Sequence, residues 1–214
     1  MTLQGPEGIK GVEDIGGIAH EPATTPAGIV LLTHGAGGNR DAALLVDLCD
    51  EWARRGYLAI RYNLPYRRRR PKGPPSNSAA SDQAGIAEAI AWARTQTDGP
   101  VIAGGHSYGG RMTSMVTANR SERPDVLALS SYPLHPPGKP ERSRTEHLPD
   151  ITVPTVFTHG TADPFGTIEE LRAAAELIAG PTRIVEVTGA RHDLGSKTLD
   201  VPALAVAAAA IFLS

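Results

Sequence analysis

Three residues far apart in this chain have types that together can break an acyl bond. Ser107 sits in Gly105-His106-Ser107-Tyr108-Gly109, a Gly-x-Ser-x-Gly pentad. Asp163 closes Gly160-Thr161-Ala162-Asp163, and His192 lies in Gly189-Ala190-Arg191-His192-Asp193. A serine hydroxyl is a poor nucleophile at neutral pH. It attacks a carbonyl carbon only when a base within hydrogen-bond reach takes its proton, and the base needs a carboxylate to hold its tautomer. Serine, then aspartate, then histidine supply nucleophile, orienting acid and base in a chain order known from one architecture. Two other carboxylates are rivals for Asp163: Asp193, adjacent to His192, and Glu186, within the preceding strand-like run.

The pentad alone carries little weight. With 23 glycines in 214 residues, an accidental match is expected roughly 0.1 times. Its flanks add the weight. The apolar run from Val101 reads as a buried strand, and Arg111 to Asn119 reads as a helix. Strand, tight glycine turn and helix make the sequence form of a nucleophile elbow, in which the serine is held in a strained conformation above a sheet edge.

The elements that must position these residues alternate along the chain. Apolar runs predict strands near 29–33, 57–62, 101–105, 126–130, 154–158 and 183–187. Periodic segments predict helices near 41–55, 81–97, 109–119, 167–179 and 199–212. Near-continuous apolar strands alternating with helices imply an α/β class, with a mostly parallel sheet of about six or seven strands covered on both faces. Asp41 and Ser81 are candidate N-caps, and Gly56 and Gly180 candidate helix stops. Residues 1–27 are expected to add a short antiparallel strand or hairpin.

In such a sheet the strand ends share one edge, where ligands bind. Ser107, Asp163 and His192 all follow predicted strands. So does His34-Gly35-Ala36-Gly37-Gly38, a turn whose backbone amides can approach a developing oxyanion. The amides of Ala36 and Tyr108 are the candidate donors. Two long loops, 63–80 and 131–153, border the same edge. From them and their neighbours come the candidate pocket-wall residues Tyr66, Tyr132, His135 and Phe165. The second loop is too short for a helical lid, so an open, shallow site for small acyl groups is expected. Arg67-Arg68-Arg69-Arg70-Pro71-Lys72 reads either as a solvated loop or as an anion clamp beside the site. His34, His106, His135 and His159 fall near this edge but lack metal-ligand spacing, so neither metal nor cofactor is expected.

The four motifs, in this order, resemble those of the α/β-hydrolase superfamily over roughly residues 28 to 213. Asn63-Leu64-Pro65-Tyr66, the stretch from Tyr132 to Pro140, and Asp163-Pro164-Phe165-Gly166 narrow the likeness to small, lidless, dienelactone-hydrolase-like members. The resemblance implies a carboxylesterase- or thioesterase-like serine hydrolase that acts on a small acyl substrate through an acyl-enzyme. One departure bears on the chemistry. True dienelactone hydrolases use a cysteine nucleophile, whereas the elbow here holds Ser107 and the lone Cys49 lies elsewhere. The alternatives are a catalytically silent scaffold that binds a protein partner, and a peptidase on the same fold.

Bulk properties narrow the field further. The length suits one domain over residues 1–214. A net charge of −2 and a pI near 6.4 give no pull toward nucleic acid. A single cysteine excludes an internal disulfide and fits a reducing cytoplasm. The first residues lack the basic and apolar regions of a signal peptide, and Val201 to Leu213 is too short to span a bilayer. A cytoplasmic protein without membrane contact is therefore expected.

Overall fold

The computed structural model describes residues 11–75, 79–119 and 122–213. Seven strands form one sheet: β1 (Gly17–His20), β2 (Ile29–Thr33), β3 (Leu58–Tyr62), β4 (Val101–His106), β5 (Val126–Ser130), β6 (Thr155–Gly160) and β7 (Thr182–Val187). Their spatial order is β1-β3-β2-β4-β5-β6-β7, and only β1 runs antiparallel. The apolar runs become parallel strands because both faces are covered: every residue of β2 and of β6 is buried.

Helices α1 (Ala43–Arg54) and α6 (Val201–Ala210) pack on one face through Leu45, Trp52, Val206 and Ala209, against Val30, Leu32 and Val156. Helices α3 (Ala79–Gln96) and α4 (Tyr108–Ala118) cover the other, where Ile86, Ile90 and Met112 meet Leu31, Ile60 and Ala103. Helix α5 (Ile168–Ala175) closes a third cluster with Leu129, Tyr132 and Phe157. Each fully buried large side chain contributes about 1.5–3 kcal/mol of transfer free energy. A seven-stranded, mostly parallel sheet between helical layers is the architecture expected from the sequence.

Register delivers the functional segments together. Thr33 at the end of β2 pairs with Gly105 near the end of β4, and Ser130 at the end of β5 pairs with His106. The strand order reverses around β2, the kind of switch point that opens a crevice at the carboxyl ends.

Local signals fared unevenly. Gly56 follows α1 with φ +88° and ends that helix. Asp41 does not cap α1. Ala42 occupies the cap position, and the Asp41 carboxylate pairs with Arg61 at 2.5 Å. Ser81 lies inside α3, where its hydroxyl accepts from Arg69 at 3.1 Å. Gly180 does not stop α5. The helix ends at Ala175 because the chain then turns to bury Ile178 and to pass Gly180 close to the backbone of Thr152 and Val153. A short helix, α2 (Pro65–Arg69), forms where a loop is expected from the sequence, started by Pro65 at its first position.

Candidate active site

The elbow is built by close backbone approach. A Cβ on Gly105 would stand 2.2 Å from the Thr33 carbonyl oxygen, and one on Gly109 would stand 2.6 Å from that of His34. No residue but glycine fits either place. Between them Ser107 takes φ 51° and ψ −116°, a conformation costing about 1–3 kcal/mol that persists only where the surroundings enforce it. Its N–H donates to the Ser130 carbonyl at 2.8 Å, and its carbonyl starts α4 by accepting from Arg111 N–H.

The structure brings Ser107, His192 and Asp163 into one hydrogen-bonded chain. His192 Nε2 lies 2.8 Å from Ser107 Oγ, and His192 Nδ1 lies 2.8 and 3.0 Å from the two Asp163 oxygens. The Asp163 carboxylate is buried. Burial alone would raise its pKa, but hydrogen bonds from His192 and the Phe165 amide outweigh that and hold it below the usual range. The rival carboxylates are engaged elsewhere: Asp193 accepts from Gly195 N–H, and Glu186 pairs with Arg172.

Neighbouring side chains hold the three in place. His106 Nε2–H donates to the His192 carbonyl at 2.7 Å, tying the loop that carries His192 to the turn that carries Ser107. His159, fully buried, donates to the Gly166 carbonyl at 2.9 Å and so braces the turn that carries Asp163. His34 is a neutral peg: Nδ1–H donates to Gly35 O and Nε2 accepts from Leu64 N–H. Its pKa is lowered to about 4, chiefly by burial. Buried Asp82 accepts from Tyr66 N–H at 3.0 Å and from Tyr108 Oη–H at 2.9 Å, which anchors the residue after Ser107. Sequence reasoning missed these supports, since nothing in the spacing of His106 or Asp82 marks what it touches. Among the described residues no group of three or more His, Cys, Asp or Glu is arranged to hold a metal ion.

Ala36 and Tyr108 line the same cleft as Ser107, and no hydrogen bond from either backbone N–H to a protein acceptor is found among the described residues. The cleft has a volume of about 620 Å³. Phe165 lines it, with its ring 4.2 Å from that of His192. The other three residues expected in the wall point elsewhere. Tyr66 is buried beneath the Gly35–Gly38 turn and donates to Ala36 O at 2.8 Å. Tyr132 packs edge-on against Phe157. His135 belongs to a separate groove, where it meets Glu170. Their aromatic character suits the core as well as it suits a pocket. In their place the cleft is walled by Pro133, Arg111 and Arg144.

The arginine run is not a clamp. Helix α2 turns Arg67 inward, where its guanidinium donates to the carbonyls of Gly38 (2.7 Å), Gly73 (3.0 Å), Ala36 (3.1 Å) and Arg70 (3.2 Å). Arg68, Arg69 and Arg70 are exposed and do not line the cleft.

Residues 26–202 match a family model described as an alpha/beta hydrolase domain. Among solved structures, the chain is similar to an alpha-beta serine hydrolase homologue from Coxiella burnetii (TM-score 0.72, 16% identity, 89% of each chain covered). It is also similar to an α/β serine hydrolase without a lid from Xanthomonas campestris (TM-score 0.70, 16% identity, 92% of this chain and 88% of that one). A dienelactone hydrolase from Anabaena variabilis aligns with TM-score 0.67 and 22% identity over 90% of this chain and 88% of that one. At these identities the likeness shows the fold. No helix among the described residues is long and apolar enough to cross a membrane.

Proposed function

We propose, from the premise that this chain belongs to the α/β-hydrolase domain family, that it is a serine hydrolase cleaving an ester or thioester through an acyl-enzyme on Ser107. The observation that carries this reading is the unbroken chain Ser107 Oγ–His192–Asp163, with steps of 2.8 Å and 2.8 Å, at a serine with positive φ. Strain at that residue has a use if the hydroxyl must be presented to a substrate.

The chemistry then runs in two halves. Ser107 Oγ attacks the carbonyl carbon while His192 Nε2 takes the hydroxyl proton. Asp163, ionised at neutral pH, accepts from Nδ1–H and stabilises the imidazolium. The amides of Ala36 and Tyr108 donate to the oxyanion, a contribution worth about 2.7–4 kcal/mol per donor in analogous enzymes. His192 passes its proton to the departing alcohol or thiol, leaving the acyl group on Ser107. Water then attacks, with His192 as base, releasing the acid and restoring the serine.

The test is labelling with a fluorophosphonate probe, together with hydrolysis of short p-nitrophenyl esters, on the native chain and on Ser107→Ala. Labelling and turnover by the native chain alone are expected, with turnover falling roughly 10⁴- to 10⁶-fold in the variant. A folded native chain that does neither overturns the proposal.

A further inference from the structure

The wall of the Ser107 cleft carries two arginines that form no salt bridge among the described residues. Arg111 lies in the first turn of α4, four residues after Ser107, and Arg144 lies on the 131–153 loop; both line the cleft. Arg54, Arg55, Arg61, Arg94 and Arg172 each meet a carboxylate. Neither Arg111 nor Arg144 has one within 4.0 Å among the described residues. Arg111 Nε is buried and without a hydrogen-bond partner. A guanidinium offers five donors and is never deprotonated, so a buried donor left idle has a cost unless something binds there.

The pairing of these two arginines is built rather than incidental. Ser114 lies three residues beyond Arg111, on the same helix face. Its hydroxyl donates to the Arg111 carbonyl at 2.8 Å and accepts from His147 Nε2–H at 2.7 Å. Tyr132 Oη–H donates to the Arg144 carbonyl at 3.1 Å, and Arg144 N–H donates to Leu134 O at 2.9 Å. The loop is thus braced internally at Arg144 and fastened to α4 through His147, close enough that burial and the Arg111 charge both lower the Arg144 pKa. Two like charges brought together at a cleft mouth repel each other until an anion lies between them.

We propose that Arg111 and Arg144 form an anion-binding subsite beside Ser107, and that the preferred substrate carries a carboxylate besides the carbonyl under attack. The planar fork of a guanidinium matches a carboxylate with two parallel N–H···O bonds. The inference deepens the hydrolase reading and rests on Ser107 being the nucleophile. It also replaces the arginine run as the source of any preference for anions.

The experiment compares p-nitrophenyl hemiadipate with its neutral methyl ester, placing the charge on the acyl side. It also compares the butyryl ester of 4-hydroxybenzoate with that of methyl 4-hydroxybenzoate, placing the charge on the leaving group. The native chain is expected to favour the charged member of one pair at least tenfold in kcat/KM. In Arg111→Gln/Arg144→Gln that charged-to-neutral ratio is expected to fall at least about tenfold, to near parity, mainly through KM. Arg111→Lys, which keeps the charge but not the fork, restores part of it. Adipate binding to Ser107→Ala, measured by calorimetry, provides a readout independent of turnover. Hydrolysis without charge preference in either pair, or an equal loss on both members in the double variant, overturns the subsite while leaving the hydrolase standing. Adipate binding that requires both arginines, in a chain that hydrolyses nothing, supports the subsite and overturns the hydrolase instead.

Discussion

Two arginine-rich regions flank the Gly35–Gly38 turn and Ser107, and they use the same side chain in opposite ways. At Arg67 the guanidinium is buried and its donors are spent on four backbone carbonyls, including Ala36 and Gly38 of the turn itself. At Arg111 the Nε is buried and idle, and the neighbouring Arg144 adds a second unpaired charge facing the cleft. A satisfied arginine is structural cement, whereas an unsatisfied pair at a cavity has capacity left for a ligand. Each region also holds a neutral histidine, fully buried at His34 and partly exposed at His147. His34 near Arg67 and His147 near Arg111 both have pKa values lowered to about 4, first by burial and then, among other causes, by the nearby guanidinium.

The largest contrast should come from Arg67→Met. It strands the carbonyls of Gly38 and Gly73, leaves Ala36 O held by Tyr66 alone, and loosens the turn that carries the Ala36 amide. A loss of about 2–4 kcal/mol in urea denaturation is expected, with turnover falling alike on charged and neutral esters. A selective loss on charged esters would instead make Arg67 a ligand contact and erase the distinction drawn here.

Acid should loosen both regions. The unfolded chain protonates its histidines as pH falls through about 6.5, while the folded chain keeps His34 and His147 neutral until about 4. Stability from these rings is therefore complete above about pH 6.5 and is lost between 6.5 and 4. The loss is about 3 kcal/mol for fully buried His34 and less for part-exposed His147. Thermal melts across that window should show the slope, and His34→Gln should flatten it. In an NMR titration, adipate bound at Arg111 should raise the His147 pKa and leave His34 unmoved. The reverse would place the anion at the wrong arginines.

His106→Phe separates positioning from binding. Losing the 2.7 Å bond to the His192 carbonyl frees the base-bearing loop, and about a 10- to 100-fold drop in kcat is expected with KM nearly constant. His106→Gln, which can still donate, should recover part of it. A change in KM alone would assign His106 to substrate contact. The smallest effects belong to Arg68→Ala and Arg69→Ala, each within about 0.5 kcal/mol of native stability and without change in ester preference. A larger shift would mean that the exposed half of the run does more than its single bonds to Asp14 O and Ser81 Oγ suggest.

Much of the scaffold was legible because its signals are local. Five- and six-residue apolar runs read as parallel strands, and the observed strand bounds lie within two residues of those expected. The elbow was legible because backbone crowding at Gly105 and Gly109 excludes every side chain. The caps were less so, since Asp41 and Ser81 found partners in Arg61 and Arg69 from other elements.

By itself, then, the sequence determined the sheet, its alternating helices, and the chain order of Ser107, Asp163 and His192. All of these follow from periodicity and from steric rules that act within a few residues. The tertiary structure alone decided what walls the cleft. A run of arginines reads as solvated until a helix turns one of them inward, and Tyr66, Tyr132 and His135 read as pocket residues until packing claims them. Arg111 and Arg144 are 33 positions apart, and only the clasp of Ser114 on His147 brings them together. Side-chain direction depends on contacts made across the fold, and those contacts leave no periodic trace in the chain.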